Sequence, residues 1–108
     1  MDADQVLSAL GDGTRRALIG ILAQSPASVS DLANALGVTK TAVGQHVAIL
    51  EVCQLVSSEK TGRVRMCKID MRGLDVLQRW IDAHRGSWNV RLVRLGEVIA
   101  DGGGGGES

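Results

Sequence analysis

The stretch Ser30-Asp31-Leu32-Ala33-Asn34-Ala35-Leu36-Gly37-Val38-Thr39-Lys40-Thr41-Ala42-Val43-Gly44-Gln45-His46-Val47-Ala48-Ile49-Leu50 carries two apolar stripes separated by a glycine. Leu32, Ala33 and Leu36 recur at helical spacing, Ser30 is placed to cap that helix, and Gly37 ends it as a left-handed residue would. Thr39 then caps a second helix whose inward stripe is Val43, Val47 and Leu50, running to about Val52. Two short helices joined by a tight Gly-containing turn form the helix-turn-helix pattern, and the second of them is the element that reads a DNA groove.

Working outward, Thr14 can cap an earlier helix with Ala17, Leu18, Ile21 and Leu22 inward, stopped at Ser25-Pro26-Ala27. A short first helix carries Val6, Leu7 and Leu10 and ends at Gly11. Downstream, Leu55 to Lys60 and Arg63 to Ile69 are two short runs split by Thr61-Gly62, a two-residue hairpin link. A long amphipathic segment follows from about Arg72 to Ile99, with Leu74, Leu77, Ile81, His84, Trp88, Leu92, Leu95 and Ile99 three or four apart and Trp80 alongside. The expected fold is mainly α with a small β-hairpin: a winged helix-turn-helix with a long C-terminal dimerisation helix. Residues 1–100 are expected to form that domain and 101–108 a flexible Gly-rich tail. The competing possibility is a small helical domain with an incidental hairpin.

Composition narrows the function classes. The chain has 108 residues, enough for one domain, and twelve acidic residues balance twelve basic ones. Trp80 and Trp88 are the only aromatics, too few for a surface that stacks single-stranded bases. No apolar run reaches membrane-span length, and Met1-Asp2-Ala3-Asp4 is not a signal peptide, so a cytoplasmic module is expected. Neutrality hides an asymmetry, however. Residues 40–72 carry Lys40, Lys60, Arg63, Arg65, Lys68 and Arg72 against Glu51, Glu59 and Asp70, while the segments on either side are slightly acidic. A basic patch on a neutral molecule favours a polyanion locally.

That patch contains the groove-reading helix. With Val43, Val47 and Leu50 inward, its first turns present Lys40, Thr41, Gly44 and Gln45. Gln45 can pair bidentately with adenine, Lys40 can take guanine or a phosphate, and Thr39 and Thr41 suit phosphate or a thymine methyl. His46 has two readings, a backbone contact or a partly buried helix residue. Lys60, Arg63 and Arg65 surround the hairpin tip, where an arginine can enter the minor groove or grip phosphate. A last helix of about 28 residues would span about 42 Å, more than one small winged domain can cover, which argues for a second copy.

These residues resemble the ArsR-type winged helix-turn-helix repressors of bacteria over roughly residues 3–99. The resemblance is carried by Leu10-Gly11-Asp12-Gly13-Thr14-Arg15-Arg16-Ala17-Leu18, by Asp31 to Val38, by Thr39 to Val47, by Gly62-Arg63-Val64-Arg65, and by Trp80, Arg85, Trp88, Arg91-Leu92 and Leu95. It implies a homodimer that binds the imperfect palindrome of a promoter and blocks transcription. It also implies an interface built from the first and last helices: Val6, Leu7 and Leu10 with Leu77, Trp80, Ile81, His84, Trp88, Leu92 and Leu95. This chain departs from the family in having Gly13 where proline is usual, Gly44 where serine is common and Met66-Cys67 where two aromatics are frequent.

Metal-sensing relatives hold zinc on this last helix. Asp82-Ala83-His84 resembles the first half of such a site, but Leu95 and Val98 stand where its second pair would be, so no metal or other cofactor is implied. Cys53 and Cys67 leave two readings open, core cysteines or a thiol pair that makes the repressor redox-responsive. With Thr61-Gly62 as the turn, Cys67 would face Val56 rather than Cys53. No catalytic arrangement recurs with suitable spacing, so an enzyme is not expected. The expected partners are double-stranded DNA and a second copy of the chain, with no membrane and with an inducer the residues do not name. The alternative is a winged protein-interaction module that does not bind DNA.

Overall fold

The computed structural model describes the backbone of residues 2–99 and the side chains of residues 2–86. In chain order it comprises α1 (Ala3–Ala9), α2 (Gly13–Leu22), β1 (Ala27–Ser28), α3 (Val29–Leu36), α4 (Lys40–Val52), β2 (Val56–Thr61), β3 (Val64–Ile69) and α5 (Met71–Ile99). By packing it divides into two units, Met1–Leu77 and Gln78–Ser108. The first holds everything from α1 to the opening turns of α5, and the second begins with the remainder of α5. The expected Gly-rich tail lies outside the described residues.

Capping sets the helix boundaries, and in two places the cap lies two residues upstream of the sequence expectation. Asp12, not Thr14, starts α2 by accepting the Arg15 backbone N–H at 3.0 Å. Ser28, not Ser30, starts α3 by accepting the Asp31 N–H at 3.0 Å. Ser28 wins because it already has the extended backbone that an N-cap needs, imposed by its pairing with β3. Thr39 caps α4 as expected, and Gly37 closes α3 at φ 69°. At the end of α4, Gln54 takes the left-handed conformation at φ 57°. Its N–H reaches Glu51 O at 3.0 Å and the Leu55 N–H reaches Leu50 O at 2.9 Å, the paired bonds of a Schellman closure.

The wing is a three-stranded antiparallel sheet in the order β1-β3-β2. Its turn is Gly62-Arg63, one residue later than expected, with Gly62 at φ 64°. The slip moves every cross-strand partner by two places, so Cys67 faces Ser58 and not Val56. Two-residue β1, on the other edge of β3, pairs Ala27 with Cys67. It is too short to show a hydrophobic period and was not expected.

One core holds the first unit together. Val6 and Ala9 from α1, Leu18 and Leu22 from α2, Leu32 and Ala33 from α3, and Val43, Val47 and Leu50 from α4 are all buried. Cys53, Leu55, Val56 and Cys67 complete it from the wing side, and Leu74 and Leu77 of α5 pack against it half-buried. Burying side chains of this kind is worth about 1.5–3 kcal/mol each, which fixes α4 rigidly against α2 and α3.

Candidate nucleic-acid interface

Because α4 turns Val43, Val47 and Leu50 into the core, Lys40, Thr41, Gly44 and Gln45 are exposed. Thr41 and Gln45, four residues apart, share one face. Thr39 is exposed at the helix start. Its oxygen accepts the Ala42 N–H at 3.0 Å, which leaves its O–H to donate outward.

Gly44 is an anomaly in the middle of this helix. A Cβ built there meets nothing within 4 Å, so neither packing nor backbone conformation requires glycine. Gly44→Ala should therefore stabilise the fold by up to about 1 kcal/mol, read as a thermal midpoint about 4 °C higher. A lowered midpoint would contradict the open helical environment described for this position.

His46 is half-buried between α4 and the start of α2. Arg15 Nη1 lies 3.3 Å from its Nδ1, and Asp12 Oδ2 lies 3.9 Å from the same atom. Arg15 also donates from Nε to Ala9 O at 2.6 Å, and Arg16 donates to Leu10 O at 2.8 Å. Two arginines thus satisfy carbonyls at the end of α1 that no helical N–H reaches. Sequence reading did not find this cluster, since Arg15 and His46 are 31 residues apart.

The N–H of Arg15 bonded to Asp12 holds that carboxyl below the ordinary carboxylate range, with the charges of Arg15 and His46 adding to the effect. The folded chain therefore releases this proton more readily than the unfolded chain. The resulting stability is fully present above the ordinary range and is lost as pH falls through the depressed value. Asp12→Asn keeps a capping side chain but removes the charge. Its thermal midpoint should fall less steeply than that of the parent between about pH 5 and pH 2; parallel curves would show that Asp12 is not part of the acid response.

In the wing, Lys60, Arg63 and Arg65 are all exposed. The observed register sets Lys60 directly opposite Arg65. Like charges in that position weaken a hairpin. Among the described residues no carboxylate forms an ion pair with either. Arg65 instead donates to Ser58 Oγ at 3.0 Å, and the Ser58 hydroxyl donates to Glu51 Oε2 at 2.7 Å, tying the wing to the last turn of α4. Either register sets two cations across the hairpin: the expected one pairs Lys60 with Arg63, and the structure replaces that partner with Arg65.

The model of the bacterial regulatory protein arsR family matches residues 12–58. The HTH-type transcriptional regulator Rv2034 of Mycobacterium tuberculosis is 35% identical over 96 residues, covering 89% of this chain and 87% of that one. The chain belongs to the ArsR family. It resembles the solved structure of the ArsR family transcriptional regulator RHA00566, with a TM-score of 0.74, 31% identity, and coverage of 80% of this chain and 89% of that one. An ArsR-like transcriptional regulator from Rhodococcus sp. RHA1 matches at TM-score 0.73 and 28% identity over 92% of this chain and 93% of that one. The winged helix-turn-helix fold is thus that of ArsR-family transcriptional regulators.

For this ArsR-family chain the residues expected at a dimer interface divide. Val6 is fully buried in its own core and has no surface left for a partner, which corrects its place in that set. A helical stripe marks what is apolar, not which copy covers it. Leu10 and Leu77 are half-buried against the same core. Leu7, Trp80 and Ile81 remain more than a third exposed. His84 is exposed, stacks on Trp80 with ring centroids 4.2 Å apart, and sets Nδ1 2.8 Å from Trp80 O. Trp88, Leu92 and Leu95 lie outside the described side chains.

Both cysteines are free and buried. Cys53 points its thiol at Gln5 O, 3.4 Å away. Burial pushes the Cys67 thiol up, and the charge of Glu51 adds to the shift. Neither cysteine has the solvent exposure of a reactive thiol. Among the described residues no group of three His, Cys, Asp or Glu side chains gathers as metal ligands would, and no helix is long and apolar enough to cross a membrane.

Proposed function

We propose that this ArsR-family regulator is a cytoplasmic homodimer that binds a palindromic operator in double-stranded DNA and represses transcription, with no enzymatic activity. The observation that carries the proposal is the pairing of Lys60 with Arg65 in the wing, a charge arrangement unfavourable to the hairpin alone and favourable beside a polyanion. The exposed first turns of α4 add the groove-reading part: Gln45 for a base edge, Lys40 for guanine or phosphate, and Thr39 and Thr41 for the backbone or a thymine methyl. Arg63, at the tip of the wing, is the residue for the minor groove or its flanking phosphates.

Two copies are needed because one recognition helix and one wing make too few contacts for a specific site. Leu7 in the first unit, and Trp80 and Ile81 in the second, each leave apolar surface exposed for joining them, with His84 beside Trp80. Purified chain mixed with sheared genomic DNA should enrich fragments sharing an inverted repeat whose half-sites are about 34 Å apart. Recovery of fragments with no common element would contradict the proposal. The affinity for the enriched site should also fall steeply with salt, as released counterions require.

A further inference from the structure

We propose that Arg15 acts on DNA binding through His46: by donating to Nδ1 it holds the ring in the tautomer that carries its proton on Nε2, and that N–H is what the ring offers to a phosphate oxygen. The inference rests on the DNA-binding function proposed above and adds a positioning residue on α2, outside the recognition helix and the wing.

Arg15 is itself well held. Its backbone N–H caps onto Asp12 at 3.0 Å, and its Nε donates to Ala9 O at 2.6 Å. The guanidinium is thereby aimed at α4, where Nη1 comes within 3.3 Å of His46 Nδ1. A guanidinium has donors only, so Nδ1 must present its lone pair, and a neutral imidazole with a bare Nδ1 carries its proton on Nε2. Asp12 Oδ2, at 3.9 Å from Nδ1, is beyond hydrogen-bond length and already accepts the Arg15 N–H. It does not compete for the neutral ring while Arg15 is in place.

The His46 side chain is 23% exposed, and among the described residues no protein group takes Nε2. His46 adjoins Gln45 on α4, next to the exposed face. An N–H at this border is a contact of the kind that sets register on the duplex without reading bases. The opposite tautomer would turn a lone pair toward the phosphate and be repelled.

The test is a double-mutant cycle of Arg15→Met and His46→Gln, read as affinity for an enriched duplex, with nitrogen NMR of the His46 ring in the parent and in Arg15→Met. In the parent at about pH 8.5 the ring should carry its proton on Nε2. In Arg15→Met the proton should shift toward Nδ1, where Asp12 is then the remaining polar neighbour. Arg15→Met should weaken binding about tenfold when His46 is present. The loss should be about threefold smaller in the His46→Gln background, because a glutamine amide always has its N–H and the lost charge cancels around the cycle.

A parent ring protonated on Nδ1, or equal losses in both backgrounds, overturns the role given to Arg15. If Arg15→Met does not fold, His46→Gln and His46→Asn decide. Glutamine can extend a donor to the Nε2 position and asparagine only to that of Nδ1, so His46→Gln should lose less affinity than His46→Asn; the reverse order, or equal affinities, overturns the proposal. A parent chain that binds no duplex overturns the proposed function and this role together, whereas a parent that binds with no coupling overturns this role alone.

Discussion

Gly73→Ala is expected to lower the stability of the chain by about 3 kcal/mol, a fall in thermal midpoint on the order of 15 °C. Gly73 lies in the first turn of α5, where the helix crosses the end of α4. A Cβ there would come within 2.5 Å of Cys53 O and 2.6 Å of Gln54 O, both backbone atoms that cannot swing aside. The Gly73 N–H donates to Gln54 O at 2.7 Å and the Asp70 N–H to Leu55 O at 2.9 Å, so lifting α5 away would also break these bonds. Thermal unfolding followed by circular dichroism measures the effect. A midpoint within a few degrees of the parent would mean that α5 does not approach the α4 closure this closely. The contrast with Gly44→Ala is instructive, since the same chemical change is expected to stabilise one helix and disrupt another. What differs is the neighbouring backbone, open at one site and in contact at the other.

The second large effect concerns the duplex. Gln45→Ala should weaken binding to the enriched operator by about 1–3 kcal/mol in each half-site, roughly 5- to 150-fold per contact and compounded over the two contacts of a dimer, while leaving binding to unrelated DNA nearly unchanged. Lys40→Ala and Arg63→Ala should behave differently if they contact phosphate. They should weaken binding to all sequences alike and reduce the slope of log affinity against log salt by about one for each contact removed, hence about two per dimer. Fluorescence anisotropy with a specific and a scrambled duplex separates the two behaviours. If all three variants bind as the parent does, the exposed face of α4 and the tip of the wing are not the DNA surface. The chain would then be better described as a winged module that binds protein.

Much of this architecture could be read from local chemistry. The stripe of Val43, Val47 and Leu50, the Thr39 cap and the left-handed Gly37 are all settled within a few residues, and each lies where expected. The errors arose where a distant element decides. Ser28 rather than Ser30 caps α3 because β3 holds Ser28 extended, and β3 lies some forty residues further along the chain. Thr61-Gly62 and Gly62-Arg63 are both plausible two-residue turns on composition. Burial does not choose between them, because either register sets Val56 and Cys67 on one side of the sheet; the turn falls at Gly62-Arg63 with Gly62 supplying the positive φ of its first position.

The candidate site shows the same division. Lys40, Thr41, Gly44 and Gln45 are exposed simply because the opposite face of α4 is apolar, a property visible in a helical period. The relay from Arg65 through Ser58 to Glu51 and the contact between Arg15 and His46 depend on tertiary arrangement, whereas the pairing of Lys60 with Arg65 follows from the hairpin register. Val6 illustrates the converse limit. Its place in an apolar stripe is plain, but only the folded chain shows that Val6 itself is consumed within one copy while Leu7 of the same stripe stays exposed.

Sedimentation of the purified chain at micromolar concentration with a fluorescent duplex bearing the enriched repeat tests the central claim most directly. Two chains moving together with each duplex, and a dimer when the duplex is omitted, is the predicted result. A single chain sedimenting alone, with the duplex left free, would contradict it.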